Sequence, residues 1–199
     1  MDSDRPSSSS RALVGVGLVC ALGGCVIGFV LGGLATKVGW KILTGSLESA
    51  APADVTRPAL ITRPAFSLSH PGNWTIDTQD EDYDPDAYFD INAPAQGKII
   101  FRVGPPAIGS PESVDGTISA MTERLVQNAT LTSYTTWGSY SGHGLEARGK
   151  ILVTHGRVRA FGWSTDAVGV LVTEIRYDED EVLNKPGYDL IESSFRLAK

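Results

Sequence analysis

The chain has two cysteines in 199 residues, Cys20 and Cys25, and both lie in its apolar N-terminal part. The remainder carries no thiol, so neither a disulfide framework nor a thiolate zinc site can be built there. Basic side chains are also scarce. From residue 58 to the end, 12 Lys and Arg stand against 19 Asp and Glu, a formal charge of −7. Phosphate binding needs a concentrated basic footprint, so nucleic acid is excluded as a partner, and the same acidity disfavours adhesion of this part to anionic lipid. Catalytic signatures are missing as well: there is no Gly-x-Ser-x-Gly elbow and no His-Glu-x-x-His helix. The three histidines, His70, His143 and His155, each adjoin proline or glycine in predicted turns, where a solvent-facing role is expected. Gly144 to Ile151 comes near a phosphate-binding loop, but no hydroxyl residue follows Lys150 and a β-branched strand replaces the required helix.

One long hydrophobic run is present. Residues 12 to 35 contain no charged or strongly polar side chain, and about 20 such residues in a helix cross a hydrocarbon core of ~30 Å. Arg11 closes one end, while Lys37, Trp40 and Lys41 close the other, placing cations and an indole at headgroup depth. The sequence therefore predicts one transmembrane helix serving as a signal anchor, with the N-terminus cytoplasmic and the following domain extracytoplasmic. Leu22-Gly23-Gly24-Cys25 resembles a lipoprotein box that would lipidate Cys25, but Val26 to Leu31 continue the apolar run and favour a retained anchor. Gly24, Gly28 and Gly32 recur at four-residue spacing, a ridge that lets two helices approach closely and points to a homodimer through the membrane helix.

The flanking segments differ in composition. Residues 1–11 read as a disordered polar tail, and residues 36–64 as a juxtamembrane segment and flexible linker with Pro52, Pro58 and Pro64 and no periodicity. Residues 65–199 show strand-length apolar runs. Phe66 to Leu68, Trp74 to Ile76, Ala87 to Ile91 and Lys98 to Val103 read as strands, the last placing Ile99, Phe101 and Val103 on one face. Ser110-Pro111 then marks a helix start, and Val114, Ile118, Met121 and Leu125 form one apolar stripe. Strands are predicted over Leu131 to Ser139, Leu145 to Thr154, Arg157 to Ser164 and Val168 to Tyr177, with His155-Gly156 as a two-residue hairpin turn. Gly187 to Phe195 places Tyr188, Ile191 and Phe195 on one helical face. The sum is an α+β domain, an antiparallel sheet flanked by helices. Trp74, Trp137 and Trp163 are expected to fill core or sheet-face positions rather than to bind a ligand.

The opening Phe66-Ser67-Leu68-Ser69-His70-Pro71-Gly72-Asn73-Trp74, the central helix, the antiparallel meander and the closing Ile191-Glu192-Ser193-Ser194-Phe195-Arg196-Leu197 resemble the Mog1/PsbP-like superfamily of α/β/α sandwiches over roughly residues 65 to 198. That resemblance implies a non-enzymatic domain that docks to other proteins, and no binding residue is carried over with it.

One cluster of donors stands out. Asp80, Asp82, Asp84 and Asp86 alternate, and hard cations such as calcium favour grouped carboxylates. An EF-hand frame beginning at Asp80 fails, because Pro85 stands at the glycine position and Ile91 at the bidentate glutamate position. The default is a solvated acidic loop, with a weak divalent site of another geometry as the functional alternative. The sequence thus predicts a membrane-tethered interaction or assembly domain with no cofactor and no catalytic residues, docking a protein partner at the membrane surface. A carrier of a small apolar ligand and, after it, a hydrolytic enzyme are the alternatives.

Overall fold

The structure is a computed structural model that describes residues 51–94 and 96–198. The predicted membrane helix with Gly24, Gly28, Gly32 and Cys25, the polar tail and the first part of the linker lie outside the described residues. Among the described residues no helix is long and apolar enough to cross a membrane.

Among the described residues ten strands and two α-helices follow in the order β1 (Ala59–Thr62), β2 (Phe66–His70), β3 (Thr75–Ile76), β4 (Tyr88–Asn92), β5 (Lys98–Gly104), α1 (Pro111–Arg124), β6 (Val126–Trp137), β7 (Tyr140–Ile151), β8 (Thr154–Ser164), β9 (Gly169–Tyr177), α2 (Glu181–Ser194) and β10 (Arg196–Leu197). Seven strands form one antiparallel sheet in the order β3-β4-β5-β9-β8-β7-β6, and β1-β2-β10 form a smaller one. The β6-to-β9 meander returns the chain to the edge of β5, where Phe101 faces Val172 and Val103 faces Val170.

Because side chains alternate along a strand, each register pair assigns its residues to one face of the large sheet. On the first face Phe89, Ile91, Ile99, Phe101, Val103, Val170, Val172, Phe161 and Trp163 bury against Tyr188, Ile191 and Phe195 of the C-terminal segment and Phe66 and Leu68 of β2. The rings stack in series: Phe89 lies 5.0 Å from Phe101, which lies 5.7 Å from Phe195, itself 5.7 Å from Phe66. Trp74, Trp137 and Trp163 are all buried here, as expected from the sequence. On the second face Val114 and Ile118 of α1 pack on Ala147, Val158, Ala160 and Leu171, with Met121 and Leu125 completing the stripe. The architecture is therefore the α+β arrangement read from the sequence, a helix on either side of an antiparallel sheet, with the small sheet added beside α2.

Local chemistry explains the ends of α1. Ser110 Oγ accepts a hydrogen bond from the Ser113 N–H at 3.3 Å, and Pro111 occupies the first helical position, where its missing N–H removes no intrahelical bond.

Three elements depart from the sequence reading. The β7–β8 hairpin turns at Leu152-Val153, not at His155-Gly156, since Ile151 pairs with Thr154. Gly149 and Gly156 face each other across that hairpin, and a Cβ on either would lie 2.5 Å from a carbonyl oxygen of the next strand, Gln127 or Arg176. These glycines serve close backbone approach, so Leu152 takes the positive φ of 56° instead. Helix α2 begins at Glu181, six residues before Gly187, and passes through Pro186. Finally, part of the segment read as linker is built into the fold. Ala59–Thr62 pairs with β2, Ala53 N–H donates to Leu183 O at 3.0 Å, and Asn73 holds Pro52 and Asp54 through both ends of its side-chain amide.

Candidate functional site

Helix α1 lies over β6, β7 and β8 and stops short of the β4–β5 side of the second face, where Ile100 is half-buried and Arg102 exposed. Between the helix and those strands runs a cleft of about 530 Å³, within the range of ~300–1,000 Å³ that holds a small ligand or a few side chains. Its floor is Ile100, Leu171 and Thr173; Tyr88 and Arg102 stand on the sheet side, and Ser113, Gly116, Thr117 and Ala120 form the helix side. The cleft exists because the helix presents small residues there. A Cβ on Gly116 would meet nothing within 4 Å.

Charge is placed around the margin. Tyr88 and Arg102 are register partners across β4 and β5, and the Arg102 guanidinium sits 5.5 Å from the Tyr88 ring centre. Arg124 lies in the last turn of α1, where a cation complements the helix dipole, and Glu112 lies in the first. Hydrogen bonds from its own backbone N–H and from the Ser110 hydroxyl hold the Glu112 carboxyl below the usual carboxylate range. The lining thus combines an apolar floor with two cations and one anion that stays ionised near neutral pH.

The predicted acidic run does not converge. Asp82, Asp84 and Asp86 are exposed, and Asp84 Oδ1 accepts the Asp86 N–H at 2.9 Å while Asp86 lies 3.9 Å from Arg63. Among the described residues the acidic side chains that come together are Asp77, Asp80 and Asp90, whose oxygens lie within 4.8 Å of one another. Alternation along an extended chain pulls successive carboxylates apart, whereas the return of β4 beside β3 brings Asp90 back to Asp77 and Asp80. Asp90 is buried and its Oδ2 pairs with Lys98 Nζ. Burial, and after it the Asp80 carboxylate, pushes the Tyr88 phenol upward.

A further cluster occupies the first face beyond the aromatic core. Glu174, 1% exposed, accepts the Trp137 indole N–H at 2.9 Å through Oε1. Its Oε2 accepts Arg176 Nε at 2.9 Å and Arg159 Nη1 at 3.1 Å. Arg159 also lies 3.5 Å from Glu146, and Arg157 pairs with Glu181. The Arg159 and Arg176 guanidiniums cover the rings of Tyr134 and Tyr188 at 4.5 and 4.0 Å. Every cation in this cluster has an acidic neighbour, so its charges are paired among themselves.

The histidines are dispersed. His155 is exposed on β8, and His143 Nε2 lies 2.8 Å from Asp115 Oδ1 at the surface. His70 departs from the solvent-facing expectation: it is buried, its Nδ1–H donates to Pro71 O at 2.9 Å, and burial lowers its pKa below the ordinary histidine value. Gly144 to Ile151 is strand β7, in keeping with the rejection of a phosphate loop. The cleft residues Tyr88, Arg102 and Thr173 were not singled out by sequence. The available signal was the alternation of β5, which sends Lys98, Ile100 and Arg102 to the face opposite Ile99, Phe101 and Val103.

No protein-family profile and no curated protein matches the chain. Several solved structures are similar in fold. LpqN of Mycobacterium tuberculosis, a protein involved in cell envelope biogenesis, is 12% identical with a TM-score of 0.47, over 72% of this chain and 90% of that one. The Ran-binding protein Mog1p of Saccharomyces cerevisiae is 9% identical with a TM-score of 0.46, over 71% and 95%. The cyanobacterial PsbP of Synechocystis is 10% identical with a TM-score of 0.43, over 77% and 96%. A Mog1 and a PsbP structure are thus both among the folds this chain is similar to, as the sequence resemblance implied.

Proposed function

We propose that the domain is a membrane-tethered, non-enzymatic interaction module that docks a segment of a protein partner in the cleft between α1 and the sheet. The observation that supports this reading is the cleft on the second face, an apolar floor of Ile100 and Leu171 bordered by Arg102 and Arg124. A partner segment with an apolar side chain beside a carboxylate complements both features. The apolar group leaves water, and the carboxylate meets a guanidinium that can bind it through two N–H groups. In this reading residues 12 to 35 anchor the chain with its N-terminus cytoplasmic, and Gly24, Gly28 and Gly32 pair two copies in the membrane.

Photocrosslinking in native membranes tests the docking. A benzophenone side chain at Ala120, inside the cleft, is expected to yield a discrete protein adduct that the same probe at exposed Thr132 on the other face does not. Arg102→Glu should reduce that adduct about tenfold, the loss expected of a charge-assisted pair. Adducts to lipid or to a small molecule, or equal adducts from both positions, overturn the reading. Extraction of the full chain by alkaline carbonate as a free monomer would overturn the tether separately.

A further inference from the structure

We propose that Asp77, Asp80 and Asp90 form a calcium site that fastens the loop between β3 and β4 to the edge of the sheet. Two independent observations carry it. The first is geometric: three carboxylates each offer one oxygen within 4.8 Å of the others. Oxygens that close can share one cation, and calcium, which takes about 6–8 oxygen ligands in a flexible shell, suits a partial carboxylate set better than magnesium, which demands a near-ideal octahedron.

The second observation is an orphan. Asp90 is 2% exposed, yet its Oδ1 is buried without a hydrogen-bond partner, while Oδ2 is taken by Lys98. A buried carboxylate oxygen without a donor is costly, and most such atoms in proteins are satisfied. The Lys98 ammonium is one positive charge against three carboxylates, which leaves two negative charges unbalanced, as a divalent ion requires.

Three protein oxygens with water completing the shell, and a lysine alongside, make a weak site. Its expected dissociation constant is about 10⁻⁴–10⁻³ M, the range of extracellular calcium modules. The site is separate from the cleft and does not depend on the docking proposal.

Calcium titration of the full chain in detergent micelles, followed by calorimetry and by tyrosine-sensitised terbium luminescence, tests it. Saturable binding with a submillimolar to millimolar midpoint is expected, with magnesium at least about tenfold weaker because of its stricter octahedral demand. The double variant Asp77→Asn with Asp80→Asn leaves the Asp90–Lys98 pair in place and should weaken calcium about tenfold or more, with an unchanged near-ultraviolet circular dichroism spectrum. The triple variant Asp82→Asn, Asp84→Asn, Asp86→Asn should bind as the parent does. Absence of saturation at about 10 mM calcium, equal binding by the double variant, or loss confined to the triple variant each overturns the assignment.

Discussion

The two faces of the large sheet are covered in different ways. The first is filled: aromatic rings stack from Phe66 to Trp163, and beyond them Glu174 gathers Trp137, Arg159 and Arg176. On the second, α1 lies on small residues, Ala147, Ala160 and Gly162, and a cleft stays open beside it. Filled faces stabilise, because each large ring removes 150–250 Å² from water. An incompletely covered face beside a fully covered one leaves room for a ligand without exposing the main core. In the proposed reading one side holds the fold together and the other recognises the partner, and substitutions can break that contrast.

The largest effect is expected at Glu174. Its replacement by Gln keeps the shape but leaves buried Arg176 and half-buried Arg159 beside a neutral amide, and breaking a buried ion pair from one side costs ~3–5 kcal/mol. Urea denaturation should show that loss. Arg148→Met, which breaks a pair with Asp178 that is 54% and 38% exposed, should cost only ~0–1 kcal/mol. Equal losses would mean that the network is no more than a surface feature.

The next effect is a dependence on pH at the border of the filled face. His70 is buried and its folded pKa lies below the unfolded value of 6.5. The unfolded chain therefore binds the proton more tightly, so the stabilising contribution is complete above pH 6.5. It is lost as pH falls from 6.5 towards the depressed folded pKa. Denaturation midpoints measured between pH 8 and pH 5 should fall in that window, by at most ~1.4 kcal/mol per pH unit. His70→Asn should flatten this part of the profile.

Local pattern revealed the elements and concealed what joins them. The stripe Val114, Ile118, Met121 and Leu125, the alternation of Ile99, Phe101 and Val103, and the helical face of Tyr188 and Ile191 all follow from short-range periodicity, and the structure turns them inward, Met121 and Leu125 only in part. Pairings across the chain escaped. Local pattern puts the β7–β8 turn on Gly156, although close approach to Gln127 and Arg176 is what Gly149 and Gly156 serve. The Asp77 to Asp90 cluster depends on β4 returning beside β3, and an alternating aspartate run gives no sign of that return. Strand β1 exists only through its pairing with β2, so a stretch with three prolines nearby reads as linker when taken alone. The cleft is defined by where a helix stops covering a sheet, which is a property of packing and leaves no local mark in the sequence.

The smallest and most diagnostic effect concerns two glycines on the open face. Gly116 stands in the interior of α1 with nothing within 4 Å of a prospective Cβ. A helix-interior glycine costs ~0.8–1.0 kcal/mol relative to alanine through its greater freedom in the unfolded chain. Gly116→Ala should therefore raise stability by about that amount. Gly162 lies under the same helix, but a Cβ there would come 2.8 Å from Val114 Cγ2 and 2.8 Å from Gly109 O, so Gly162→Ala must lower stability by displacing the helix. Opposite signs from one substitution on one face would show where α1 touches the sheet and where it leaves the sheet open. A loss at Gly116 would mean that the cleft is closed in solution, which removes the recognition half of the comparison.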